Sequence, residues 1–348
     1  MPIHYKFQRI LLACGMFWVL AIAAGFPMTA DAIALSEEVY FTSDPGVRLA
    51  GTLDRPAQVK GPSPVVVFAV GAGPWARGGF VAIRARLIAA GIATLSYDKR
   101  GFGQSSGEFD ESLPTVARDV SAATAYLRSR GDIDPKRIAL VGHSQGGGAL
   151  PLAAAHDGAI AGVVMLAAPI GPRGEVFTTL MRTTLLKSGI RPEDADRVAK
   201  ATASWLDSRT RTTSGPEVDG LREAATSAFV SVGFARPQAE SAVKSLDNSM
   251  VLSMFDAALD KALIQSRAPV LAVYGGADTI VWAEYCVPAA AAALQNHPDS
   301  LILLVPGMNH SMDRITQAPP PSPGSLPSDG MAPVVVDTVS SWLVQHLR

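Results

Sequence analysis

The stretch IALVGHSQGGGAL, residues 138–150, places a serine between an apolar run and three consecutive glycines. The apolar residues before it are typical of a buried strand, and the small residues after it are typical of a closely packed helix. Residues 142–146, GHSQG, fit the G-x-S-x-G pattern of a nucleophile on a sharp strand-to-helix turn. Gly142 and Gly146 would remove the collisions that side chains make at such a turn. Ser144 is therefore the candidate nucleophile.

The chain around this turn alternates strand-like and helix-like patterns. A hairpin is predicted over 37–56, and buried strands over 65–70, 92–97, 138–141, 160–170, 268–278 and 300–310. Helices are predicted near 80–90, over 113–131, after Ser144, near 283–297 and at the end of the chain. This order predicts an α/β fold with a doubly wound, mostly parallel sheet. Residues 173–266 break the alternation and predict a helical cap insertion, so that 35–172 and 267–348 form the core.

Composition limits the class of protein. The 348 residues carry a net charge of −1 and are 48% hydrophobic, which is typical of a globular chain and gives no basic footprint for nucleic acid. Cys14 and Cys286 are too few for a metal cluster or a disulfide framework. A small-molecule substrate is the expected partner, and the sequence does not indicate an oligomeric state.

The N-terminus has the pattern of an export signal. Lys6 and Arg9 precede an uncharged apolar run over 10–26, and small residues follow it. This order predicts a signal peptide over 1–34, cleaved after Ala32 or Ala34, and a periplasmic or secreted protein with no further membrane association. An uncleaved membrane anchor over 10–26 is the alternative.

A nucleophilic serine needs a base, usually a histidine that is oriented by a carboxylate. His310 follows the last predicted buried strand, so it should lie at the carboxyl edge of the sheet, where such folds place their sites. We expect His143 to point away from the serine, and the other histidines to lie on helix surfaces or in a polar turn: His156, His297 and His346.

Asp278 follows the strand before His310 and is the expected acid, in the order Ser144, Asp278, His310. Asp98 also follows a strand but precedes the serine. We interpret it as structural, holding the glycine-rich loop together with Arg100. Two further carboxylates are fallback acids: Glu284 and Asp313.

Four stretches resemble one known family. They are YDKRGFGQS at 97–105, IALVGHSQGG at 138–147, YGGADTIV at 274–281 and PGMNHSM at 306–312. In this order and spacing they resemble the α/β-hydrolase superfamily, above all exported bacterial serine hydrolases of the esterase, dienelactone-hydrolase-like and serine-aminopeptidase-like kinds. The resemblance covers about 37–172 and 267–348, and the cap corresponds to the variable insertion of that family. It implies nucleophile Ser144, acid Asp278 and base His310.

One loop departs from the family. Its members often carry His-Gly after the first buried strand, whereas this chain has VGAGP at 70–74. An oxyanion hole would need only backbone N–H groups, from Ala72 and Gln145. No metal and no organic cofactor is expected. The proline-rich segment 318–333 would either border the pocket or form a solvated tether, and we favour the tether.

The predicted activity is hydrolysis of carboxylic esters through an acyl-enzyme. A peptidase of the same fold is the alternative, with a cap carboxylate holding the substrate amine: Glu193, Asp194, Glu217, Asp219 or Glu223. A non-catalytic binding protein is a further alternative. Apolar cap residues would either line a pocket or pack the cap helices: Met181, Leu185, Leu186, Trp205, Phe229, Phe234, Met254 and Phe255.

Overall fold

Within the described residues, eight strands form one sheet in the order β1-β2-β4-β3-β5-β6-β7-β8. They are β1 (Ala34–Thr42), β2 (Arg48–Pro56), β3 (Ser63–Ala69), β4 (Ala93–Tyr97), β5 (Ile133–His143), β6 (Ile160–Leu166), β7 (Val270–Gly275) and β8 (Leu301–Val305). The computed structural model describes residues 34–211, 214–297, 299–314 and 330–348. The predicted signal segment, apart from Ala34, and most of the proline-rich segment 318–333 lie outside these ranges.

The helices of the core are α1 (Val81–Ala89), α2 (Leu113–Arg128), α3 (Gln145–Ala155), α10 (Ala283–Ala293) and α11 (Pro333–Leu347). Between β6 and β7 come α4 (Glu175–Lys187), α5 (Pro192–Arg211), α6 (Pro216–Ser231), α7 (Arg236–Ser245), α8 (Ser249–Asp256) and α9 (Leu259–Gln265). No helix in the described ranges has the length and apolar character to cross a bilayer.

The sheet is mostly parallel and is covered on both faces. β1 and β2 form the predicted hairpin, β2 pairs antiparallel with β4, and the remaining neighbours are parallel. Every residue of β3 is buried, because helices cover both sides of a parallel sheet. One hydrophobic cluster joins the sheet to α2, α3, α9 and α10, and the other joins it to α1 and α11. The predicted α/β fold with a doubly wound sheet is confirmed.

The last strand differs from its prediction. The run LILLV was expected to be a buried strand, but β8 pairs only with β7 and forms the edge of the sheet. Leu301 is 40% exposed and Leu304 is 38% exposed. A continuous apolar run is therefore not sufficient evidence for a central strand, because an edge strand can carry the same run.

The helices α4 to α8 pack around a hydrophobic cluster of their own, whereas α9 packs with the core. Both ends of this insertion meet at one point. The Gly174 N–H donates to the Phe255 carbonyl (2.7 Å), and the Asp260 N–H donates to the Gly171 carbonyl (3.2 Å). The chain thus leaves the core and returns to it at nearly the same place.

Most of the apolar cap residues pack the cap itself. Trp205, which is 1% exposed, lies in the cap cluster with Leu185, Phe229 and Phe255. Met181 and Leu186 pack against that cluster, Met254 packs against the core, and the exposed ring of Phe234 meets Phe229 edge-on. Of the two interpretations of these residues, packing accounts for the larger number.

Candidate active site

Ser144 occupies the turn between β5 and α3. Its backbone has φ 53° and ψ −123°, a strained conformation for a residue with a side chain. The Ser144 N–H donates to the Leu166 carbonyl (2.8 Å) of the neighbouring strand, and its own carbonyl accepts from the Gly148 N–H (2.9 Å) in α3. The strand on one side and the helix on the other thus hold the strained residue in place.

The glycines on either side make this turn possible. A Cβ on Gly142 would lie 2.7 Å from the Gly146 carbonyl carbon. A Cβ on Gly146 would lie 2.5 Å from the Ala69 carbonyl oxygen and would also contact the Val70 carbonyl. Because all of these neighbours are backbone atoms, neither position leaves room for another residue.

His310 and Asp278 meet Ser144 at the carboxyl edge of the sheet. His310 Nε2 lies 2.9 Å from Ser144 Oγ, and His310 Nδ1 lies 2.8 Å from Asp278 Oδ2. The other carboxylate oxygen, Oδ1, accepts the N–H groups of Ile280 (2.8 Å) and Val281 (2.9 Å). The Asp278 side chain is 1% exposed. The structure therefore brings together the three residues predicted from separate parts of the sequence.

The fallback acids lie elsewhere. Glu284 is on α10 and pairs with Lys187 (3.6 Å) on a solvent-exposed surface. Asp313 lies against Gly330, and burial raises the pKa of its carboxyl group. The carboxylate that contacts the His310 ring is that of Asp278.

Three of the remaining histidines lie outside the candidate site. His156 is exposed at the end of α3. His297 contacts the Ser266 carbonyl (2.5 Å) and the Ser300 hydroxyl (3.0 Å) in its turn. His346 stacks on Trp342, with ring centroids 3.9 Å apart. None of these contacts involves Ser144.

His143 has a contact that the sequence analysis missed. Its ring is buried 4.9 Å from the ring of His310, and its Nε2 lies 2.7 Å from the His310 carbonyl oxygen. Burial lowers the pKa of His143 to about 4, so the ring is neutral at neutral pH and its Nε2–H donates to that carbonyl. His143 thus fixes the backbone of His310. Only its position beside Ser144 could have suggested this from sequence.

The loop after β3 passes next to the serine. A Cβ on Gly71 would lie 3.3 Å from Ser144 Cβ. Within the loop, the Trp75 indole N–H donates to the Ala72 carbonyl (2.6 Å), and the Gly73 N–H donates to Glu111 Oε2 (2.7 Å). Gly73 has φ 114°, which favours glycine. The loop keeps an ordered shape without the family histidine.

A model of the alpha/beta hydrolase family matches residues 66–317. The chain belongs to this family. The hydrolase is 36% identical over 129 residues to the quorum-quenching protein AidA of Acinetobacter baumannii, which is 36% of this chain and 42% of that protein. It is 35% identical over 127 residues to thiohydrolase apmlB of Arthrinium phaeospermum, which is 36% of this chain and 40% of that protein. Each match covers less than half of the relative's length.

Solved structures share the fold. Est1E from Butyrivibrio proteoclasticus with bound ferulic acid has a TM-score of 0.53 and 20% identity, and covers 89% of this chain and 99% of that one. The esterase Pf2001 of Pyrococcus furiosus has a TM-score of 0.53 and 16% identity, and covers 90% of each chain. At these identities the likeness concerns the fold alone.

Asp98 supports two loops of the hydrolase. Its Oδ1 accepts the Arg77 N–H (2.7 Å) from the loop after β3, and its Oδ2 accepts the Gln104 N–H (2.8 Å) from the glycine-rich loop. Arg100 was expected to act with it, and this part of the interpretation is wrong. Arg100 turns away and pairs with Asp119 (2.5 Å) and Asp44 (2.8 Å), because its side chain extends toward α2 and the β1–β2 hairpin.

A buried lysine was also missed. Lys99 Nζ donates to Gln145 Oε1 (2.9 Å) and lies 3.4 Å from Glu111 Oε2. The Gln145 amide in turn donates to the Glu111 carbonyl. Burial lowers the pKa of Lys99 to about 8. The signal in the sequence was a lysine directly after a buried strand, at the edge that also carries Ser144.

Metal-ligand geometry is absent from the described ranges, where no group of three or more His, Cys, Asp or Glu side chains could hold an ion. Cys286 is buried, and burial raises the pKa of its thiol to about 12. A thiol with so high a pKa is a poor nucleophile at neutral pH. Ser144 remains the candidate nucleophile of the hydrolase.

Proposed function

We propose that this hydrolase cleaves carboxylic esters through an acyl-enzyme on Ser144, with His310 as general base and Asp278 as its orienting acid. The observation that carries the proposal is the unbroken hydrogen-bond chain from Asp278 Oδ2 through the His310 ring to Ser144 Oγ. Such a chain keeps His310 Nε2 free to take the serine proton, because the other ring nitrogen faces the carboxylate.

The reaction begins when His310 Nε2 takes the proton of Ser144 and Oγ attacks the ester carbonyl carbon. The negative charge then moves onto the carbonyl oxygen. The imidazolium returns its proton to the departing alkoxide as the ester C–O bond breaks, and Asp278 stabilises the imidazolium meanwhile. Water, activated by His310 in the same way, cleaves the acyl-enzyme and regenerates Ser144.

The N–H groups of Ala72 and Gln145 would bind the oxyanion. Gln145 is the first residue of α3, where an N–H has no acceptor within the helix. Among the described residues, the Ala72 N–H donates to no backbone carbonyl. Both groups therefore have a hydrogen available for an oxyanion, and the positive end of α3 adds a favourable field.

The peptidase alternative has less support. It needs a cap carboxylate that is free to hold an amine, yet four of the five candidates pair with arginines. Glu193 pairs with Arg191, Asp194 with Arg191 and Arg197, Asp219 with Arg222, and Glu223 with Arg236. Glu217 is exposed at the start of α6.

The test is hydrolysis of p-nitrophenyl esters from acetate to palmitate by the full chain. Turnover should vanish in Ser144→Ala and persist in Ser129→Ala, whose hydroxyl lies on the surface and donates to the Tyr126 carbonyl. A folded wild type that neither turns over any ester nor reacts with a fluorophosphonate would contradict the proposal and favour the binding-protein alternative.

We further propose that the protein is exported, on the evidence of the N-terminal pattern over 1–34. Fractionation of the source cells should place it in the periplasm or the medium, and N-terminal sequencing should begin after Ala32 or Ala34. Recovery in the membrane fraction with Met1 intact would favour the anchor.

A further inference from the structure

We propose that Lys99 and Glu111 form an internal ion pair that positions the two oxyanion donors, the N–H groups of Ala72 and Gln145. This inference rests on the proposed function, since it assigns these side chains a role in the same reaction. They are positioning residues, because their hydrogen bonds reach the Gly73 N–H, which follows Ala72, and the side chain of Gln145.

Glu111 holds the first donor. It precedes α2, and its Oε2 accepts the N–H of Gly73 at 2.7 Å. Gly73 follows Ala72 directly, so this bond fixes the peptide plane next to the Ala72 N–H. The Ala72 carbonyl is held from the other side by the Trp75 indole N–H (2.6 Å). The peptide unit that follows the proposed donor is thus hydrogen-bonded at both its carbonyl and its N–H.

Lys99 holds the second donor. Its Nζ donates to Gln145 Oε1 at 2.9 Å, and the Gln145 amide donates to the Glu111 backbone carbonyl. The Gln145 side chain, which is almost fully buried, is therefore bound at both its oxygen and its nitrogen. A side chain bound at both ends restrains the backbone of its own residue. The Gln145 N–H, directly after Ser144, is therefore held in one direction.

The ion pair joins these two anchors into one unit. Lys99 Nζ lies 3.4 Å from the same Glu111 Oε2 that accepts from Gly73. The Lys99 side chain is 8% exposed and that of Glu111 is 18% exposed, so solvent screens the pair weakly. Burying a charge costs folding free energy. The Lys99–Glu111 pair is not needed to hold the β1–β2 hairpin, which Arg100 contacts, or the glycine-rich loop, which Asp98 contacts.

The pair also predicts a pH effect. Burial lowers the pKa of Lys99 to about 8, against the opposing influence of Glu111 and of Asp119 on α2. Lys99 borders a small cavity that is also lined by Tyr97, Arg100 and Asp110. As pH rises through about 8, Lys99 loses its charge and Glu111 loses its counterion. Activity should therefore decline on the alkaline side, and the decline should depend on Lys99.

The experiment compares Lys99→Met and Glu111→Gln with the wild type on p-nitrophenyl acetate. Loss of one oxyanion donor costs about 100–1000-fold in rate, so misplacing donors should lower kcat by about 10–100-fold. KM should stay within about threefold, because the donors act mainly in the transition state. Lys60→Met, at an exposed position, is the matched control.

Two further measurements distinguish loss of donor positioning from loss of folded protein. The alkaline decline should disappear in Lys99→Met, and the double variant should be no slower than the slower single variant, because the two side chains act as one unit. If Lys99→Met does not fold, the near-isosteric Glu111→Gln gives the test of kcat against KM, and its alkaline decline should move to lower pH, because the carboxylate that favours the charged lysine is gone.

A kcat within threefold of the wild type, with the alkaline decline intact, would overturn this inference and leave the proposed function standing. If the wild type cleaves no ester, the rate of Ser144 phosphonylation by a fluorophosphonate is measured instead, since that step also places a negative oxygen at the donors. A tenfold slower reaction in Lys99→Met supports the positioning role, and equal rates overturn it.

Discussion

The turn around Ser144 and the cap formed by α4 to α8 are built on different principles. At the turn, backbone approaches backbone so closely that Gly142 and Gly146 have no room for a Cβ. In the cap, a Cβ on Gly220 of α6 would meet no atom within 4 Å apart from its chain neighbours and the backbone of its own helix. Steric contacts therefore determine which residues can occupy the turn, whereas the cap helices pack through apolar side chains at helical spacing.

The core that carries the turn and the cap also use charge differently. The ion pair between Arg100 and Asp119 is nearly buried, with side chains 8% and 5% exposed. In the cap, the pair between Arg236 and Glu223 has side chains 53% and 54% exposed. Buried pairs constrain geometry because leaving one partner alone is costly, while exposed pairs contribute little. We therefore expect a substitution in the buried core pair to cost more stability than one in the exposed cap pair.

The largest effect is expected from a single methyl group at the turn. Gly146→Ala places a Cβ against the Ala69 and Val70 carbonyls, and should lower the free energy of unfolding by at least about 4 kcal/mol. Gly220→Ala, the matched change in the cap helix, should instead raise it by about 0.5–1 kcal/mol. Urea unfolding of both variants measures the two changes in the free energy of unfolding. Equal changes would contradict the difference between the turn and the cap.

A smaller difference is expected between the ion pairs. Asp119→Asn leaves Arg100 buried with only Asp44 as a charged partner, and should lower the free energy of unfolding by about 3 kcal/mol. Glu223→Gln in the cap should leave the unfolding midpoint unchanged within error. Thermal unfolding at low and moderate salt tests both. A large loss in Glu223→Gln would show that the cap also depends on fixed charges.

The smallest effect concerns His143 at acidic pH. Burial lowers its pKa from an ordinary value of 6.5 to about 4, so between these values the unfolded chain binds a proton that the folded chain does not. Stability should therefore fall as pH drops from 6.5 toward 4, with up to about 2–3 kcal/mol due to this ring. His143→Gln, which keeps a donor for the His310 carbonyl, should flatten this decline.

The control for that measurement is His156→Gln at the exposed end of α3. This variant should lose stability with falling pH as the wild type does. Unfolding by urea at several pH values between 4 and 7 gives both slopes. An unchanged slope in His143→Gln would contradict the neutral, buried ring.

The sequence predicted the turn because steric demands leave few residues possible: only glycine fits at 142 and 146, and Ser144 stands between them. It predicted Asp278 and His310 because both follow strands of a parallel sheet, whose carboxyl ends meet. It did not predict that β8 is an edge, since an apolar run looks the same with one neighbour as with two. The contacts of Lys99 with Glu111, and of His143 with His310, depend on side-chain directions that spacing along the chain does not encode.

The closure between Gly174 and Phe255, and between Gly171 and Asp260, has a consequence for how such a protein can evolve. A segment whose two ends are joined by backbone hydrogen bonds can be lengthened, shortened or exchanged without moving the strands that flank it. Recombination at this one point would exchange the inserted helices and leave the sheet that carries Ser144 unchanged. The junction closed by these two hydrogen bonds is therefore the place at which a different helical insertion could be joined to this core.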